Sequence, residues 1–106
     1  MAKLTEEMKE MVRTQQCFHA TVSKEGIPNN APKSSTRVVD DETLIFSEGT
    51  GGTTYKNILE GSKVSVAVVD REKIDGYRFL GTPEVITAGE IYERSLTLVN
   101  IAGNTR

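Results

Sequence analysis

The 106-residue chain has no tryptophan, one histidine and one cysteine. Each shortage removes a class of chemistry. A lone cysteine, Cys17, allows no internal disulfide, and nothing in the chain demands an oxidising compartment. One histidine, His19, and one cysteine cannot build a protein-only zinc site of the usual kind. No Ser, His and Asp follow one another in an order that suggests a hydrolase. Three Phe and three Tyr are a thin aromatic supply, so the core must draw on Val, Ile, Leu and Met. There is no excess of either charge: the formal net charge is −2 and the pI near 5.4, which speaks against a general nucleic-acid binder. No apolar run approaches the ~18 residues of a membrane span. The first residues, MAKLTEEMKEM, lack the apolar stretch of a signal peptide. Cytoplasm is therefore the expected compartment, with no membrane and no nucleic acid among the partners.

What is present describes a folded globular protein, with 37% hydrophobic and 26% charged residues. The length suits one domain, residues 1–106, burying roughly two-thirds of its unfolded surface. No repeat, low-complexity tract or linker is visible. Residues 5–13 read as a helix with Thr5 as N-cap, Glu6 and Glu7 at the positive end of the dipole, and Met8, Met11 and Val12 on one face. CFHATVS alternates with period two and reads as a strand; KEGIP is turn chemistry around Gly26 and Pro28. In NNAPKSSTRVVDD the first half is extended but polar, and Thr36 to Val39 is strand leading into an Asp40–Asp41 turn. TLIFS is a strand, and TYKNILEGS a short helix capped by Thr53 or Thr54 and ending near Gly61. KVSVAVVD is a strand, as is YRFLGTPEVIT with a bulge or bend at Gly81 to Pro83. TAGEIYERSLTLVN reads as a helix, with a capping box at Thr87 and Glu90, an inner face including Ile91 and Leu98 with Tyr92 and Ser95 beside them, and Gly103 as its stop; LTLVNI has a second reading as a strand. The predicted order is helix, three strands, short helix, two strands, helix. Such short connections favour a mainly β, antiparallel sheet closing into a small barrel.

Two constellations carry chemistry. SEGTGGTTYKN, residues 47–57, places glycines and threonines before a helix start, which suits either a plain linker or an anion cradle. It is neither a Walker loop nor a GxGxxG. PKSSTR sets Lys33 and Arg37 beside three hydroxyls; read as a strand, Lys33, Ser35 and Arg37 share a face. Its alternatives are a phosphate or carbonyl contact and a charge-guarded edge strand. His19 reads as a locally hydrogen-bonded strand residue and Cys17 as a buried small hydrophobe. Tyr77 and Phe79 share one strand face and read as core or interface.

Over roughly residues 10–95 the chain, from ATVSKEGIPNNAPKSSTRVVDDETLIF through GTTYKNILEGSKVSVAVVD to GYRFLGTPEVI, resembles the pyridoxamine 5′-phosphate oxidase-like flavin-binding split barrels in their small, stand-alone FMN-binding branch. The order and spacing of these stretches carry the resemblance; no single motif does. It implies a six-stranded antiparallel split barrel, a homodimer, and one FMN in each of two interfacial grooves. By similarity Asn30, Ala31, Pro32, Lys33 and Ser34 would run beside the isoalloxazine ring. Ser47, Glu48 and Gly49 would approach the ribityl chain and phosphate, Thr53 and Thr54 would receive the phosphate, and Arg37 and Lys56 would supply charge. Many relatives carry lysine where this chain has Thr53, and the family usually adds a strand after the last helix, so a shortened C-terminus is expected here.

The resemblance implies a redox role with no catalytic side chain, the flavin exchanging electrons with a small-molecule donor or acceptor. Lys33 is the residue expected to favour the reduced, anionic flavin. Three classes of function follow: an FMN-dependent oxidoreductase or flavin reductase, a non-enzymatic FMN carrier, and a split-barrel dimer for another ligand (deazaflavin or haem) or none. Oxidation of pyridoxamine phosphate itself is not expected, because no second basic cluster offers itself to a substrate phosphate.

Overall fold

The computed structural model describes residues 3–48, 52–86 and 95–105. Helix α1 (Glu6–Thr14) begins as its sequence dictates. The Met8 N–H donates to the Thr5 hydroxyl at 3.2 Å, the Thr5 N–H reaches the Met8 sulfur at 3.4 Å, and Met11 and Val12 are buried. Strands β1 (Cys17–Val22) and β2 (Pro28–Pro32) form a hairpin through Gly26, whose φ of 83° needs a residue without a Cβ. Strands β3 (Arg37–Asp40) and β4 (Thr43–Glu48) form a second hairpin, and the Asp40 carboxylate accepts the Glu42 N–H at 2.8 Å in the expected Asp40–Asp41 turn. Helix α2 (Thr53–Leu59) is capped by Gly52, not by Thr53 or Thr54 as expected, and no side chain supplies a cap bond. It ends as predicted: Gly61 has φ 105°, its N–H donates to Ile58 and the Ser62 N–H to Asn57, which closes the last turn.

Strands β5 (Val64–Asp70), β6 (Asp75–Ile86) and β7 (Ser95–Thr105) complete one antiparallel sheet of seven strands, ordered β2-β1-β5-β6-β7-β4-β3. The expected bulge in β6 falls between Leu80 and Gly81. The last predicted helix is corrected over its second half. Ser95, Leu98 and Gly103 lie in β7, which pairs with both β4 and β6. Thr97, Val99 and Ile101 alternate into the core, and a period of two wins because two neighbouring strands need a partner there. Thr87, Glu90, Ile91 and Tyr92 lie outside the described residues. The strand expected to be missing is thus β7 itself, and among the described residues the count is seven, not six, because the polar Pro28–Pro32 segment also joins the ladder.

The sheet curls on itself. His19 of β1 and Phe46 of β4 stand on strands far apart in the order, yet their rings meet edge to face at 4.4 Å. The core inside the curl contains Leu44, Phe46, Val64, Val66, Val68, Phe79, Val99 and Ile101, with Leu4, Met11 and Val12 from the N-terminal segment. Residue Cys17, 2% exposed, behaves as the predicted small hydrophobe. Phe79 is core, with Tyr77 stacked on it at 6.2 Å. Helix α1 is tied to the β3–β4 turn by the Leu4 N–H on the Asp41 carbonyl and by the Lys9–Asp41 ion pair. Helix α2 is tied to β1 by the Asn57 amide on the Thr21 hydroxyl at 3.0 Å. No helix among the described residues is long and apolar enough to cross a membrane.

One strand is inside out. On β1 the small Cys17 and the polar His19 and Thr21 point into the core, while Phe18 and Val22 lie exposed on the other side with Ala20 between them. Across the same outer face run Ser65 and Ala67 of β5, Leu80 of β6 and Ala102 of β7. Small residues sink the middle of this face into an apolar groove of about 720 Å³ beside Val22 and Leu80.

Candidate functional site

The two ends of the sheet, β2 and β3, are edges joined by the short segment 33–36. An edge strand carries a row of N–H and C=O groups with no strand to meet them. Which groups these are on β2 follows from the register. The Lys33 N–H donates to the Cys17 carbonyl at 2.9 Å, so the Cys17–Lys33 position is hydrogen-bonded, and alternation makes His19–Ala31 and Thr21–Asn29 hydrogen-bonded as well. Asn30 therefore turns its backbone N–H and C=O away from β1, as Pro32 turns its C=O. The prolines fit the same rule: Pro28 and Pro32 both stand where no donor to β1 is required.

Beyond Pro32 the chain does not stay extended. Lys33 to Thr36 is a turn, closed by the Thr36 N–H on the Lys33 carbonyl at 3.2 Å, so the strand-like sharing of faces expected for Lys33, Ser35 and Arg37 does not occur. Three hydroxyls in a row favour this, because each can bond the backbone close by. The Thr36 hydroxyl donates to the Lys33 carbonyl at 2.7 Å, and the Ser34 hydroxyl donates to the Gln16 side chain at 3.0 Å. Arg37, exposed, folds back so that Nη1 donates to the Ser34 and Thr36 carbonyls at 3.1 and 3.0 Å. Ser35 joins the turn to β4: its hydroxyl accepts the Ser47 N–H at 3.0 Å and donates to the Ser47 carbonyl at 3.4 Å.

The structure thus brings Lys33, Ser34, Arg37 and Ser47 into one bonded unit, with Asn30, Ala31 and Pro32 on the edge leading into it. Lys33, Ser34 and Arg37 also line a polar cleft of about 250 Å³ at the end of α1, shared with Arg13, Thr14 and Gln16. The Lys33 ammonium lies 6.0 Å from the centre of the Phe46 ring. Thr53 and Thr54 part company. Thr53 is exposed at the start of α2, whereas Thr54 is 2% exposed and its hydroxyl accepts the Asn29 side-chain amide at 3.1 Å, fastening α2 to β2. Lys56 is exposed on α2. Glu48 ends β4 opposite Ser95, and Gly49 lies outside the described residues.

Underneath this unit sit groups that sequence reasoning did not assign to the site. His19 Nε2 is 2.9 Å from the Thr36 hydroxyl oxygen. That hydroxyl spends its one proton on the Lys33 carbonyl, which can only accept, so the oxygen must accept from His19. His19 therefore carries its proton on Nε2, and Nδ1, buried, has no hydrogen-bond partner among the described residues. Burial drives the His19 pKa down to about 3, with the Lys33 charge adding to the effect, so the ring is neutral. Burial pushes the Cys17 thiol up to about 11 against a smaller opposing pull from the Thr36 hydroxyl. Neither is a nucleophile or a proton carrier at neutral pH. The signal for His19 was in the sequence, in the polar phase of β1; Ser35 and Thr36 stood out only as hydroxyls beside cations, and Asn29 not at all, because only the fold brings their partners near.

The β2 edge thus offers outward-turned backbone groups that lead into a cation-bearing turn. The family model described as pyridoxamine 5′-phosphate oxidase matches residues 4–100. A pyridoxamine 5′-phosphate oxidase candidate from Lactobacillus delbrueckii is 30% identical and superposes with a TM-score of 0.93, covering 100% of this chain and 96% of that one. HupZ from Group A Streptococcus is 36% identical with a TM-score of 0.87, covering 95% of this chain and 91% of that one. An uncharacterized protein of Methanocaldococcus jannaschii is 35% identical over 92 residues, which are 85% of this chain and 61% of the relative's length.

Proposed function

The chain belongs to the pyridoxamine 5′-phosphate oxidase family, and from that premise we propose that it binds FMN at the β2 edge and serves in oxidation–reduction. Its architecture is the antiparallel split barrel. The observation that carries the proposal is the outward-turned backbone of Asn30 and Pro32 running into the turn at Lys33. A flavin has donors and acceptors along one edge of a planar ring, and unpaired backbone groups of an edge strand match such a set. The fit extends to charge: Lys33 and Arg37 stand at the end of that edge, where an anionic ring or phosphate is favoured. Thr53 is the hydroxyl assigned to the phosphate; Thr54 acts from behind by fixing α2 to β2 through Asn29. Ser47 and Glu48 lie along the ribityl side.

Bound there, the flavin would supply hydride or electron transfer, and the protein supplies orientation and electrostatics. No side chain is assigned an acid–base step, since His19 and Cys17 are buried and neutral. Two copies are proposed to assemble through the apolar outer face of β1, β5, β6 and β7. Whether the protein turns over a substrate or carries FMN is read by steady-state oxidation of NAD(P)H against small acceptors. The first experiment is an FMN titration followed by flavin fluorescence, with the visible spectrum of the purified protein beside it. Saturable quenching is expected. A colourless protein that ignores added FMN sinks the proposal. In the same system Lys33→Ala is expected to lower the flavin reduction potential; an unchanged potential removes Lys33 from that role.

A further inference from the structure

His19 is the least expected residue of the core. It is fully buried in a face otherwise filled by Cys17, Val66, Phe46 and Phe79, and one of its nitrogens is left without a partner among the described residues. An unsatisfied buried acceptor costs about 1–3 kcal/mol. A core selected for stability alone would place an apolar side chain here. Among the described residues the ring of His19 makes its hydrogen bond to Thr36, and Thr36 holds the Lys33 carbonyl through both its hydroxyl and its N–H. The bonds form a chain from the barrel interior outward: imidazole N–H to hydroxyl, hydroxyl to carbonyl. The carbonyl belongs to the residue whose own N–H ends the β1–β2 ladder. The neighbouring Ser35 then locks the turn to Ser47.

We infer that His19 is the positioning residue of the ligand-facing turn, fixing from inside the barrel where the backbone of Lys33 to Thr36 stands at the open edge. The inference rests on the flavin reading above for what the turn faces, and on the hydrogen bonds alone for what His19 does. A turn of this kind has no ladder partner of its own beyond the Lys33 N–H. Without the histidine donor the Thr36 hydroxyl could leave the Lys33 carbonyl, and the turn would sample other shapes. The ligand would then have to order it on binding, at the expense of affinity.

The test uses three variants of the whole chain. His19→Leu keeps the bulk and removes the donor. His19→Gln keeps a donor near the place of Nε2. Thr36→Val removes the relay from the other side. Two measurements are made: FMN affinity by titration, and hydrogen exchange at the Lys33 and Thr36 amides in protein free of flavin. His19→Leu is expected to fold with a melting midpoint no lower than that of the wild type, to exchange those amides faster by about tenfold, and to bind FMN about tenfold more weakly, the worth of one hydrogen bond. His19→Gln is expected to restore both readings, which a mere filling role for the ring would not do. Wild-type exchange at both amides in folded His19→Leu overturns the inference, and so does Gln behaving like Leu. Should His19→Leu fail to fold, Thr36→Val supplies the same two readings, and wild-type exchange in that variant overturns the inference equally. If wild-type protein binds no FMN while the amides respond as described, the flavin reading falls and the positioning role stands. If FMN binds and the amides do not respond, the reverse holds.

Discussion

At the scale of the residue, His19 ties acid sensitivity to one group. In the folded protein its ring resists protonation down to about pH 3, whereas an unfolded chain takes up that proton near the ordinary value of 6.5. Below pH 6.5 the unfolded state therefore binds more protons, and stability falls with pH; above 6.5 this group contributes nothing to the slope. The loss is on the order of 1.4 kcal/mol for each pH unit across that window. Between pH 6.5 and 4.5 the unfolding free energy of the wild type from urea titration should drop more than that of His19→Leu, the gap reaching about 2–3 kcal/mol. Parallel declines for the two proteins would show that His19 accepts its proton without leaving the core. Lys33 opposes that proton as a smaller effect after burial, so Lys33→Ala should raise the pH, near 3 in the wild type, at which this loss of stability levels off.

At the scale of the element, β6 and β7 come together only because residue 81 has no side chain. A Cβ on Gly81 would collide with Cγ1 of buried Val99 and lie 3.0 Å from the Asn100 carbonyl oxygen. Since the β6 register shifts at Leu80 and Gly81, neither strand can slide to relieve the clash. Gly81→Ala should cost about 1–3 kcal/mol, as overpacking of a closed site does. A chemical denaturation midpoint indistinguishable from wild type would show that the bulge absorbs the methyl group. The sequence announced this bulge through Gly81 and Pro83, as it announced the Thr5 cap and the Gly61 stop, because those signals are local and steric. It misled where the deciding force is distant. Ser95 to Leu98 satisfies a helical spacing, and only the presence of β4 and β6 on either side makes it a strand. β2 was not counted as a strand because it is polar and bounded by prolines, yet both prolines fall where the ladder asks for no donor. The site was legible to the same extent: Lys33 and Arg37 were visible as cations, but that the turn between them is pinned by His19 and Ser47 depends on contacts 17 and 12 residues apart in sequence.

At the scale of the molecule, the outer face of β1, β5, β6 and β7 presents exposed apolar side chains that a partner surface could cover. Val22 and Leu80, 44% and 47% exposed, line a groove with small residues among its walls, and Phe18, 38% exposed, stands on the same face. If a second copy covers it, Leu80→Glu should yield a monomer by light scattering, with an unchanged far-ultraviolet spectrum and weakened FMN binding. A wild type that is already monomeric at micromolar concentration, or a variant that stays dimeric, removes this face from the assembly. The sheet order has a consequence in time as well as space. β7 lies between β6 and β4, so the β3–β4 hairpin meets the rest of the ladder through β7 alone. On the ribosome, residues 37–48 are made about fifty residues before the strand that seats them, a wait fixed by the order of synthesis. During that wait the hairpin holding Leu44 and Phe46 has no strand beside it, and half of the barrel interior is a surface. Residues 95–105 are the strand that joins the two parts of the ladder, β2-β1-β5-β6 on one side and β4-β3 on the other.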